Sequence, residues 1–347
     1  MTPGKETLRF AIFGTGFWSR FQLAGWNEVE GARCVALYNR TRAKAEALGR
    51  EFGIEAVFDD AEKLLDTVKP DFIDIITDVD SHSRFVELAA NHRIPVICQK
   101  PMAPDLETAR AMTACCESVG IPFLIHENWR WQKLIRDLKA ILDSGVIGTP
   151  FRAGIDMISG FPVFENQPFL AELEQFIITD LGSHTLDTAR FLFGEAASLT
   201  CRTGRVHPNI RGEDHATILL TMGQTGMTVI VRLAYAGNHL ERECFPQTLF
   251  FIEGSLGSIE VTPDYWIRVT TESGTHSRRH PPPHHPWADP RYAAVHSAIP
   301  PCNANLLSAL NATGEAETTA ADNLRTMTLV FDAYDSEETG KTIVRPA

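Results

Sequence analysis

The chain has 347 residues, of which 44% are hydrophobic and 22% are charged, and its formal net charge at pH 7 is −12. This length fits two domains with a sizeable core, while the negative charge and the lack of a dense lysine and arginine stripe argue against a nucleic-acid partner. No apolar run approaches the roughly 20 residues that span a bilayer, and residues 1–6 do not resemble a signal peptide. We therefore expect no membrane partner and a cytoplasmic location.

The cysteines and histidines give little indication of a metal centre. The seven cysteines form no CxxC pair, which favours free thiols in a reducing compartment. Among the twelve histidines, the group between His276 and His285 lies in a proline-rich stretch that we interpret as a solvated or interface loop. Because these residues lack the regular spacing of zinc ligands, we predict no metal site and disfavour a zinc-dependent alcohol dehydrogenase.

The N-terminal stretch carries a glycine-rich turn between a strand and a helix. The apolar run Leu8–Phe13 precedes Gly14-Thr15-Gly16-Phe17-Trp18-Ser19, and a helical stretch continues to about Glu28. The first glycine allows a tight turn, the second lets a pyrophosphate approach the backbone, and the helix N-terminus supplies free N–H groups; Ser19 stands where a third glycine is usual. The pattern predicts a dinucleotide site, with candidate cofactor contacts at Phe13, Gly14, Thr15, Gly16, Phe17 and Trp18.

The end of the second predicted strand, Arg33–Tyr38, normally reads the adenine ribose. An acidic residue there bonds the 2′-hydroxyl of NAD, whereas a nearby arginine accommodates the 2′-phosphate of NADP. This chain has Asn39 and Arg40 instead. Asparagine can still bond a hydroxyl, and Arg40 can stack on adenine, so the local chemistry is compatible with either cofactor.

Strands and helices alternate with short loops through the rest of the first half, which predicts a doubly wound parallel sheet and a dinucleotide-binding domain over residues 1–126. The predicted strands are Phe72–Ile76, Ile94–Ile97 and Ile121–Ile125, and the predicted helices are Asp60–Lys69, Ser83–Asn91 and about Asp105–Ser118.

Thr77, Asp78 and His82 follow one of these strands, and we assign them as cofactor contacts. His82 stands at the start of a helix, so capping that helix is an equally good interpretation. Parallel strands present their carboxyl ends to bound ligands, so these positions face the expected cofactor site.

The apolar run Ile94–Ile97 closes with Cys98-Gln99-Lys100-Pro101, which puts an ammonium group at the carboxyl end of a buried strand. A surface lysine is the commoner case, but the glycine turn before it and the motif after it favour a site residue. We assign Gln99 and Lys100 to the site, together with Asn128 beyond the last strand.

After Pro150 the sequence changes to β-branched runs separated by glycines, which predicts an open, mostly antiparallel sheet. The runs are Phe151–Ile158, Leu199–Val206, His215–Met222, Met227–Ala234, Thr248–Ile252, Ser258–Val261 and Tyr265–Val269. A helix at Asn323–Tyr334 is expected to cover this sheet and return to the first domain. Residues 127–347 therefore form a predicted α+β domain for substrate binding and oligomerisation.

Asp180 and His184 stand four residues apart in a helical pattern that ends at Gly194, so they share one face. A carboxylate one turn from a histidine orients the imidazole and favours its protonation, as in a general base. Gly182 costs a helix about 1 kcal/mol against alanine, and we interpret it as a gap for something that packs closely. Alone, such a pair is more often a surface or capping pair; after a cofactor domain, catalysis becomes the better interpretation.

These motifs together resemble the family of glucose–fructose oxidoreductase, inositol dehydrogenase and the rhizopine-catabolism oxidoreductases, over essentially the whole chain. The family's usual Glu-Lys-Pro is Gln99-Lys100-Pro101 here. The resemblance implies that Lys100 contacts the reacting alcohol and the nicotinamide side, with Asp180 and His184 as the catalytic pair. It also implies a homodimer or homotetramer built on the exposed face of the large sheet.

Within that family, three motifs look like the D-apiose dehydrogenase group: Tyr38-Asn39-Arg40-Thr41, Ile97-Cys98-Gln99-Lys100-Pro101 and His126-Glu127-Asn128-Trp129-Arg130-Trp131. That group oxidises a branched pentose to its lactone with NAD, which favours NAD over NADP here. Two alternatives stay open, an NAD-assisted glycoside hydrolase of the same fold and a non-catalytic dinucleotide sensor.

The expected mechanism brings three polar groups to a hydroxyl of a sugar or polyol, either a secondary one or the anomeric C1–OH, and hydride passes to the nicotinamide. His184 takes the proton, Lys100 stabilises the alkoxide, and Asp180 holds the histidine or a substrate hydroxyl. Candidates for the wall of the sugar site are Trp129, Arg152 and Asp156.

Overall fold

The structure is a computed structural model that describes residues 7–237 and 247–345 of the chain. Contacts divide these residues into two units. The first comprises residues 7–128, Pro286–Ala288 and His296–Arg325. The second comprises residues 129–237, 247–285, Asp289–Val295 and 326–345.

The strands of the described residues, in chain order, are β1 (Leu8–Phe13), β2 (Ala32–Tyr38), β3 (Val57–Phe58), β4 (Phe72–Ile75), β5 (Val96–Gln99), β6 (Phe123–His126), β7 (Pro150–Ser159), β8 (Ala196–Gly204), β9 (His215–Met222), β10 (Thr228–Tyr235), β11 (Leu249–Gly254), β12 (Gly257–Thr262), β13 (Trp266–Thr271), β14 (Gly274–Arg279) and β15 (Ile343–Val344).

The helices of the same residues are α1 (Phe17–Trp26), α2 (Arg42–Phe52), α3 (Ala61–Val68), α4 (His82–Asn91), α5 (Leu106–Val119), α6 (Lys133–Asp143), α7 (Val163–Asn166), α8 (Ser183–Phe193), α9 (Ala293–His296), α10 (Ile299–Leu310) and α11 (Ala320–Thr339). No helix among residues 7–237 and 247–345 is long and apolar enough to cross a membrane.

The first unit is built on a parallel sheet whose strands, within the described chain, are ordered β3-β2-β1-β4-β5-β6. The predicted doubly wound sheet is confirmed. The strand order reverses beside β1, so the carboxyl ends of β1 and β4 form the topological switch point at which such sheets bind ligands. The glycine-rich turn and Thr77 both lie at this point.

Helix α10 belongs to the first unit and was not predicted. It packs on α1 at Gly25, where an added Cβ would stand only 2.3 Å from Cγ2 of Ile299. Pro300 and Pro301 stand in its first turn, where a missing N–H costs nothing because that turn has no helical acceptor anyway. The two prolines therefore begin this helix rather than mark a loop.

The second unit is built on a mixed sheet, ordered β14-β13-β12-β11-β7-β10-β9-β8-β15 among the described strands. Its neighbours pair antiparallel, except that β7 and β10 run parallel. This confirms the predicted mostly antiparallel sheet. Alternate residues of β7 and β10 are buried on the face that α8 covers, namely Ala153, Ile155, Met157, Val229, Val231 and Leu233.

One stretch differs from the sequence expectations, and one predicted helix is longer than expected. Residues Gly274–Arg279 form the exposed edge strand β14, so the first part of the predicted proline-rich loop is wrong; every residue of this strand is exposed, which leaves no apolar alternation to detect. The predicted helix Asn323–Tyr334 is present as part of α11, whose residues up to Arg325 belong to the first unit and whose later residues belong to the second.

Candidate functional site

The turn after β1 requires glycine at its first position. Gly14 has φ +98°, and its N–H donates a 2.8 Å hydrogen bond to the carbonyl of Tyr38. A Cβ on Gly14 would lie 2.4 Å from the carbonyl oxygen of Ile76. Both the backbone conformation and the contact with the end of β4 therefore exclude a side chain here.

The second glycine lies beside open space. No atom stands within 4 Å of a Cβ built on Gly16, and α1 begins directly after it without a side-chain cap on its first N–H groups. Uncapped N–H groups at a helix start bind anions such as a pyrophosphate. Within the described chain, the buried hydroxyl oxygen of Thr15 also lacks a hydrogen-bond partner. These features fit a dinucleotide bound against the turn.

Ser19 occupies the position of the usual third glycine. It is fully buried, and its hydroxyl donates a 2.8 Å hydrogen bond to the carbonyl of Gly14. The serine therefore ties the first turn of α1 back to the glycine turn. This departure from the fingerprint stabilises the turn and leaves the space at Gly16 open.

The aromatic residues around this turn have different environments. Phe13 is part of the core, where its ring packs on Tyr38 and Phe85, so it can meet a cofactor only through its backbone. Phe17 is 62% exposed, and Trp18 is half-buried.

Asn39 joins two loops at the end of β2. Its Oδ1 accepts a 3.1 Å hydrogen bond from the N–H of Thr15, and its Nδ2 donates one of 3.0 Å to the carbonyl of Thr41. Asn39 therefore shapes the site by holding the glycine turn. Arg40 beside it is exposed.

His82 supports the turn that carries Lys100. Its ring is buried, with Nδ1 3.2 Å from the carbonyl oxygen of Met102 and Nε2 3.3 Å from that of Thr77. Burial lowers the pKa of His82. The imidazole thus links the loop after β4 to the segment after Lys100, and its contact with a cofactor stays a prediction. Asp78 lies in the same loop, where its carbonyl accepts from the Ser81 hydroxyl.

Gln99 and Asn128 present amide groups near the ends of β5 and β6. Gln99 is paired in register with His126, and Lys100 follows it, half-buried, at the carboxyl end of β5. Within residues 7–237 and 247–345, the buried amide nitrogens Nε2 of Gln99 and Nδ2 of Asn128 have no hydrogen-bond partner. Buried donors of this kind need an acceptor, which the hydroxyls and carboxamide of a bound nicotinamide nucleoside can supply.

In the second unit, Asp180 lies in a π-helical turn, Ile178–Gly182, that runs directly into α8. The expected helical pattern that carries Asp180 and His184 therefore begins as a π-turn and becomes a regular α-helix only at Ser183. The carboxylate of Glu213 caps this turn by accepting hydrogen bonds from the N–H groups of Phe176 and Ile178, at 3.2 and 3.3 Å. π-Helical turns are frequent at functional sites.

The carboxylate of Asp180 faces the end of β10. The hydroxyl of Tyr235 lies 3.5 Å from Oδ2 of Asp180 and donates toward it. Burial and the nearby Asp180 charge raise the pKa of Tyr235, which keeps its phenol protonated. Sequence reasoning missed Tyr235 because its pairing with Asp180 depends on the packing of α8 against the sheet.

Gly182 leaves space for close packing within the second unit. A Cβ there would lie 3.0 Å from Cγ2 of Ile178 and 3.4 Å from Cδ1 of Leu233. The small residue lets the π-turn pack closely on β10, so the element that packs closely on Gly182 is this strand.

His184 is 5% exposed, and its ring stacks on that of Trp129 with centroids 4.3 Å apart and planes 20° apart. The indole nitrogen of Trp129 donates a 2.9 Å hydrogen bond to the hydroxyl of Thr248. The structure therefore places Trp129 against the imidazole of His184, whereas the sequence predicts it for the wall of the sugar site.

The structure does not bring Arg152 and Asp156 to His184. Arg152 pairs with Glu253, and Asp156 accepts two 2.5 Å hydrogen bonds from Arg232. Both stand on the sheet face opposite to the one that α8 covers, because side chains alternate along β7. We therefore leave them out of the candidate site.

An ion pair beside His184 was also missed from the sequence. Arg130 is joined to Asp187 by two hydrogen bonds, from Nε at 2.8 Å and from Nη2 at 2.5 Å, and both side chains are buried. The available signal was an arginine placed between two tryptophans, a composition unusual for a solvated turn. Among the described residues, no group of three or more His, Cys, Asp or Glu side chains is arranged to hold a metal ion.

Comparison with known proteins places these sites in context. Residues 8–126 match the model described as "Oxidoreductase family, NAD-binding Rossmann fold", and residues 135–260 match that of the GFO/IDH/MocA C-terminal domain. The chain is 44% identical to D-apiose dehydrogenase of Rhizobium rhizogenes over 97% of both chains. It is 41% identical to that of Paraburkholderia graminis, over 99% of this chain and 91% of the relative.

One similar crystal structure is of an oxidoreductase from Agrobacterium radiobacter in complex with NAD+, L-tartaric acid and magnesium. The TM-score is 0.94 at 43% identity, and the match covers 97% of this chain and 98% of the other. Levoglucosan dehydrogenase, in complex with NADH and levoglucosan, has a TM-score of 0.82 at 18% identity and shares the fold.

Proposed function

Because the chain belongs to the NAD-binding GFO/IDH/MocA oxidoreductase family, we propose that it is an NAD-dependent dehydrogenase that oxidises the C1 hydroxyl of D-apiose to the lactone. The observation that carries the proposal is the 44% identity to a D-apiose dehydrogenase over 97% of both chains. Oxidation of the anomeric hydroxyl of a cyclic sugar removes two hydrogens from C1 and its oxygen, and the product is a lactone.

The first unit provides the groups that would hold NAD, which when bound supplies the acceptor for hydride. The open backbone at Gly16 and the start of α1 suit the pyrophosphate. The buried amide nitrogens of Gln99 and Asn128 suit acceptors on the nicotinamide nucleoside. Asn39 holds the glycine turn in this arrangement through the N–H of Thr15.

His184 is the proposed general base. It takes the proton of the C1 hydroxyl, so that the electron pair of the O–H bond stays on oxygen while C1 loses hydride. Burial of the imidazole to 5% exposure supports this role, since it limits exchange of the proton with bulk water.

Lys100 and Asp180 are proposed to act on charge and orientation. The ammonium group of Lys100 stabilises the alkoxide that develops on the substrate oxygen, an effect worth roughly 3–4 kcal/mol for a comparable donor. Asp180 is proposed to orient the base or a substrate hydroxyl, and Tyr235 holds its carboxylate from the side of the sheet.

We propose that a second copy of the chain packs on the exposed face of the large sheet. Leu219, Ile230, Gly154 and Phe251 form one row across β9, β10, β7 and β11, with Leu219 44% and Phe251 49% exposed. The ion pairs Arg152–Glu253 and Asp156–Arg232 flank this apolar row. An apolar strip with a charged rim is typical of subunit interfaces. We expect Phe251→Glu to reduce the oligomer measured by light scattering, whereas an unchanged mass would contradict this interface.

A cytoplasmic location is also proposed. The support is that Cys34, Cys98, Cys115, Cys116 and Cys201 of the described residues are free thiols, as a reducing compartment favours.

The assignment of the base and the lysine is tested by assaying Lys100→Ala and His184→Ala for NADH formation with a panel of aldoses, after NAD binding has been confirmed by calorimetry. We expect both rates to fall at least about 100-fold. Lys63→Ala and His276→Ala, which alter exposed residues of the same types, serve as controls that keep wild-type rates. Near wild-type rates in Lys100→Ala and His184→Ala would overturn the assignment.

A further inference from the structure

The indole of Trp129 is held in one orientation on the face of His184. The two rings stack at 4.3 Å and 20°, and Trp129 is only 3% exposed. The edge of the indole is fixed as well, because its N–H donates to the hydroxyl of Thr248 at 2.9 Å. One face of the imidazole is thereby covered by an immobilised aromatic plane.

The turn that carries Trp129 is also fastened to α8. Arg130, the next residue, makes two hydrogen bonds to Asp187, which stands three residues after His184 on that helix. Thr326 donates a further 3.1 Å hydrogen bond to Asp187 and accepts one of 2.8 Å from Arg190. The stack and the ion pair therefore join the same two segments at neighbouring positions.

Such an ion pair is costly unless its groups are fully engaged. Taking a guanidinium and a carboxylate out of water costs several kcal/mol per ion, and a well-packed apolar pair of the same size is often as stable. In some proteins, buried polar or ionic groups are kept because they fix a specific arrangement of the segments that they join. Here the arrangement that is fixed is the contact between Trp129 and His184.

We propose that Trp129 is a positioning residue for the general base, and that the Arg130–Asp187 pair is the clamp that holds it. The proposal rests on the proposed function of His184. When the imidazole accepts the hydroxyl proton it becomes a cation, and the electron-rich face of an indole attracts a cation, most strongly where water is excluded. Trp129 therefore stabilises the charge that forms on His184 and prevents the ring from rotating away from the substrate. This assigns Trp129 a role different from the sugar wall expected from the sequence.

The stack is tested without reference to activity, by NMR of the imidazole C–H resonances of His184, identified by their loss in His184→Asn. A stacked indole shifts these resonances upfield. We expect Trp129→Leu to move them toward the positions of an exposed histidine and Trp129→Phe, which keeps an aromatic face, to move them less. Asp187→Asn, which weakens the clamp, is expected to broaden or shift them in the same direction. Resonances that stay in place in Trp129→Leu would overturn the proposal.

Kinetics then separate positioning from general packing. Trp129→Leu is expected to lower kcat about 10-fold or more while KM for the sugar changes less than about 3-fold, because the stack acts on charge formed in the transition state. Trp129→Phe is expected to recover most of the lost kcat. The matched control is Trp131→Leu. Trp131 lies in the same turn as Trp129, but its indole packs on Arg136. An equal loss in Trp131→Leu, or an unchanged kcat in Trp129→Leu, would overturn the proposal.

The two arms distinguish this inference from the proposed function. If none of the sugars supports NAD reduction by the wild-type protein, the proposed function fails and the catalytic part of the inference fails with it. The NMR resonances of His184 still decide whether the stack and the clamp exist. If the wild-type protein is active and Trp129→Leu has the same kcat, the inference fails and the proposed function stands.

Discussion

The hydroxyl of Tyr334 donates a 2.8 Å hydrogen bond to Oε1 of Glu213, and the same carboxylate caps the π-turn that carries Asp180. Tyr334 also lies 3.3 Å from the N–H of Thr179, the residue before Asp180. A carboxylate that accepts several hydrogen bonds from buried donors is held strongly. Glu213 and Tyr334 therefore set the position of the turn that presents Asp180.

The first prediction concerns this cap. Glu213→Gln removes the charge from hydrogen bonds to Phe176 and Ile178, so we expect the free energy of unfolding to fall by about 1–3 kcal/mol in urea denaturation. We also expect kcat to fall because Asp180 is displaced. The control is Glu172→Gln, whose carboxylate pairs with Arg211 at the surface and contributes little. Equal stability of the two variants would contradict the role of the cap.

The second prediction separates the two glycines of the turn after β1. Gly14→Ala forces a Cβ to 2.4 Å from the carbonyl of Ile76 at a positive φ, so we expect the protein without NAD to melt at a clearly lower temperature. Gly16→Ala meets no atom within 4 Å, so we expect its melting temperature without NAD to stay near wild type.

Although Gly16→Ala should leave the melting temperature unchanged, we expect it to weaken the binding of NAD. Its methyl group occupies the space that the pyrophosphate needs, and calorimetry is expected to show that Kd for NAD rises about 10-fold or more. A Gly16→Ala protein that binds NAD as tightly as wild type would contradict the proposed cofactor position.

The third prediction concerns pH and Asp74, which is fully buried in β4. Burial raises the pKa of Asp74 from 3.8 to about 6, even though Gln22 and Trp26 donate hydrogen bonds to its carboxylate. A raised pKa means that the folded state binds the proton more tightly than the unfolded state does. The contribution of Asp74 to stability is therefore largest at about pH 4 and below, declines as pH rises to about 6, and stays constant above that.

Asp74→Asn removes this titration. We compare the free energy of unfolding of the variant with that of the wild type. As the pH rises from 4 to 7, we expect this difference to change in favour of the variant by on the order of 3 kcal/mol. An effect of the amide that is the same at every pH does not alter this change. Denaturant unfolding of both proteins at several pH values measures the difference. A difference that does not change with pH would show that Asp74 is ionised in the folded state at pH 4.

The fourth prediction concerns the choice between NAD and NADP. Asn39→Asp keeps an oxygen that accepts from the N–H of Thr15 and adds a negative charge at the end of β2. Because such a charge repels a 2′-phosphate, Kd for NADP should rise about 10-fold more than Kd for NAD. Asn39→Ala, which loses the hydrogen bond without adding charge, should weaken both cofactors alike. Equal responses in Asn39→Asp would argue that the adenine ribose does not lie near this residue.

The elements that the sequence predicted well are those with local causes. Gly14 and Gly16 follow a buried strand and precede a helix, and the hydrogen bonds and close contacts of that turn involve its own residues and the adjacent strand ends. The buried stretches of β1, β4 and β5 are short and nearly all apolar, with Asp74 as the polar residue inside β4, as strands buried on both faces are.

What the sequence did not predict depends on contacts between distant residues. The π-turn at Ile178–Gly182 is capped by Glu213 and Tyr334, which lie far along the chain, so the local helical pattern indicated only an α-helix. The stack of Trp129 on His184 and the pairing of Arg130 with Asp187 likewise require the fold of the second unit. Alternation along β7 could have placed Arg152 and Asp156 on the outer face, had the buried face been identified first.

The most direct test of the proposed function is the initial rate of NADH formation by the purified wild-type protein with D-apiose, compared with other aldoses and polyols at equal concentration. We expect that D-apiose gives the highest kcat/KM, that NAD is reduced faster than NADP, and that one lactone is formed for each NADH. The proposed function would be contradicted if none of these substrates gave NADH, or if the protein released free sugar from a glycoside without net formation of NADH.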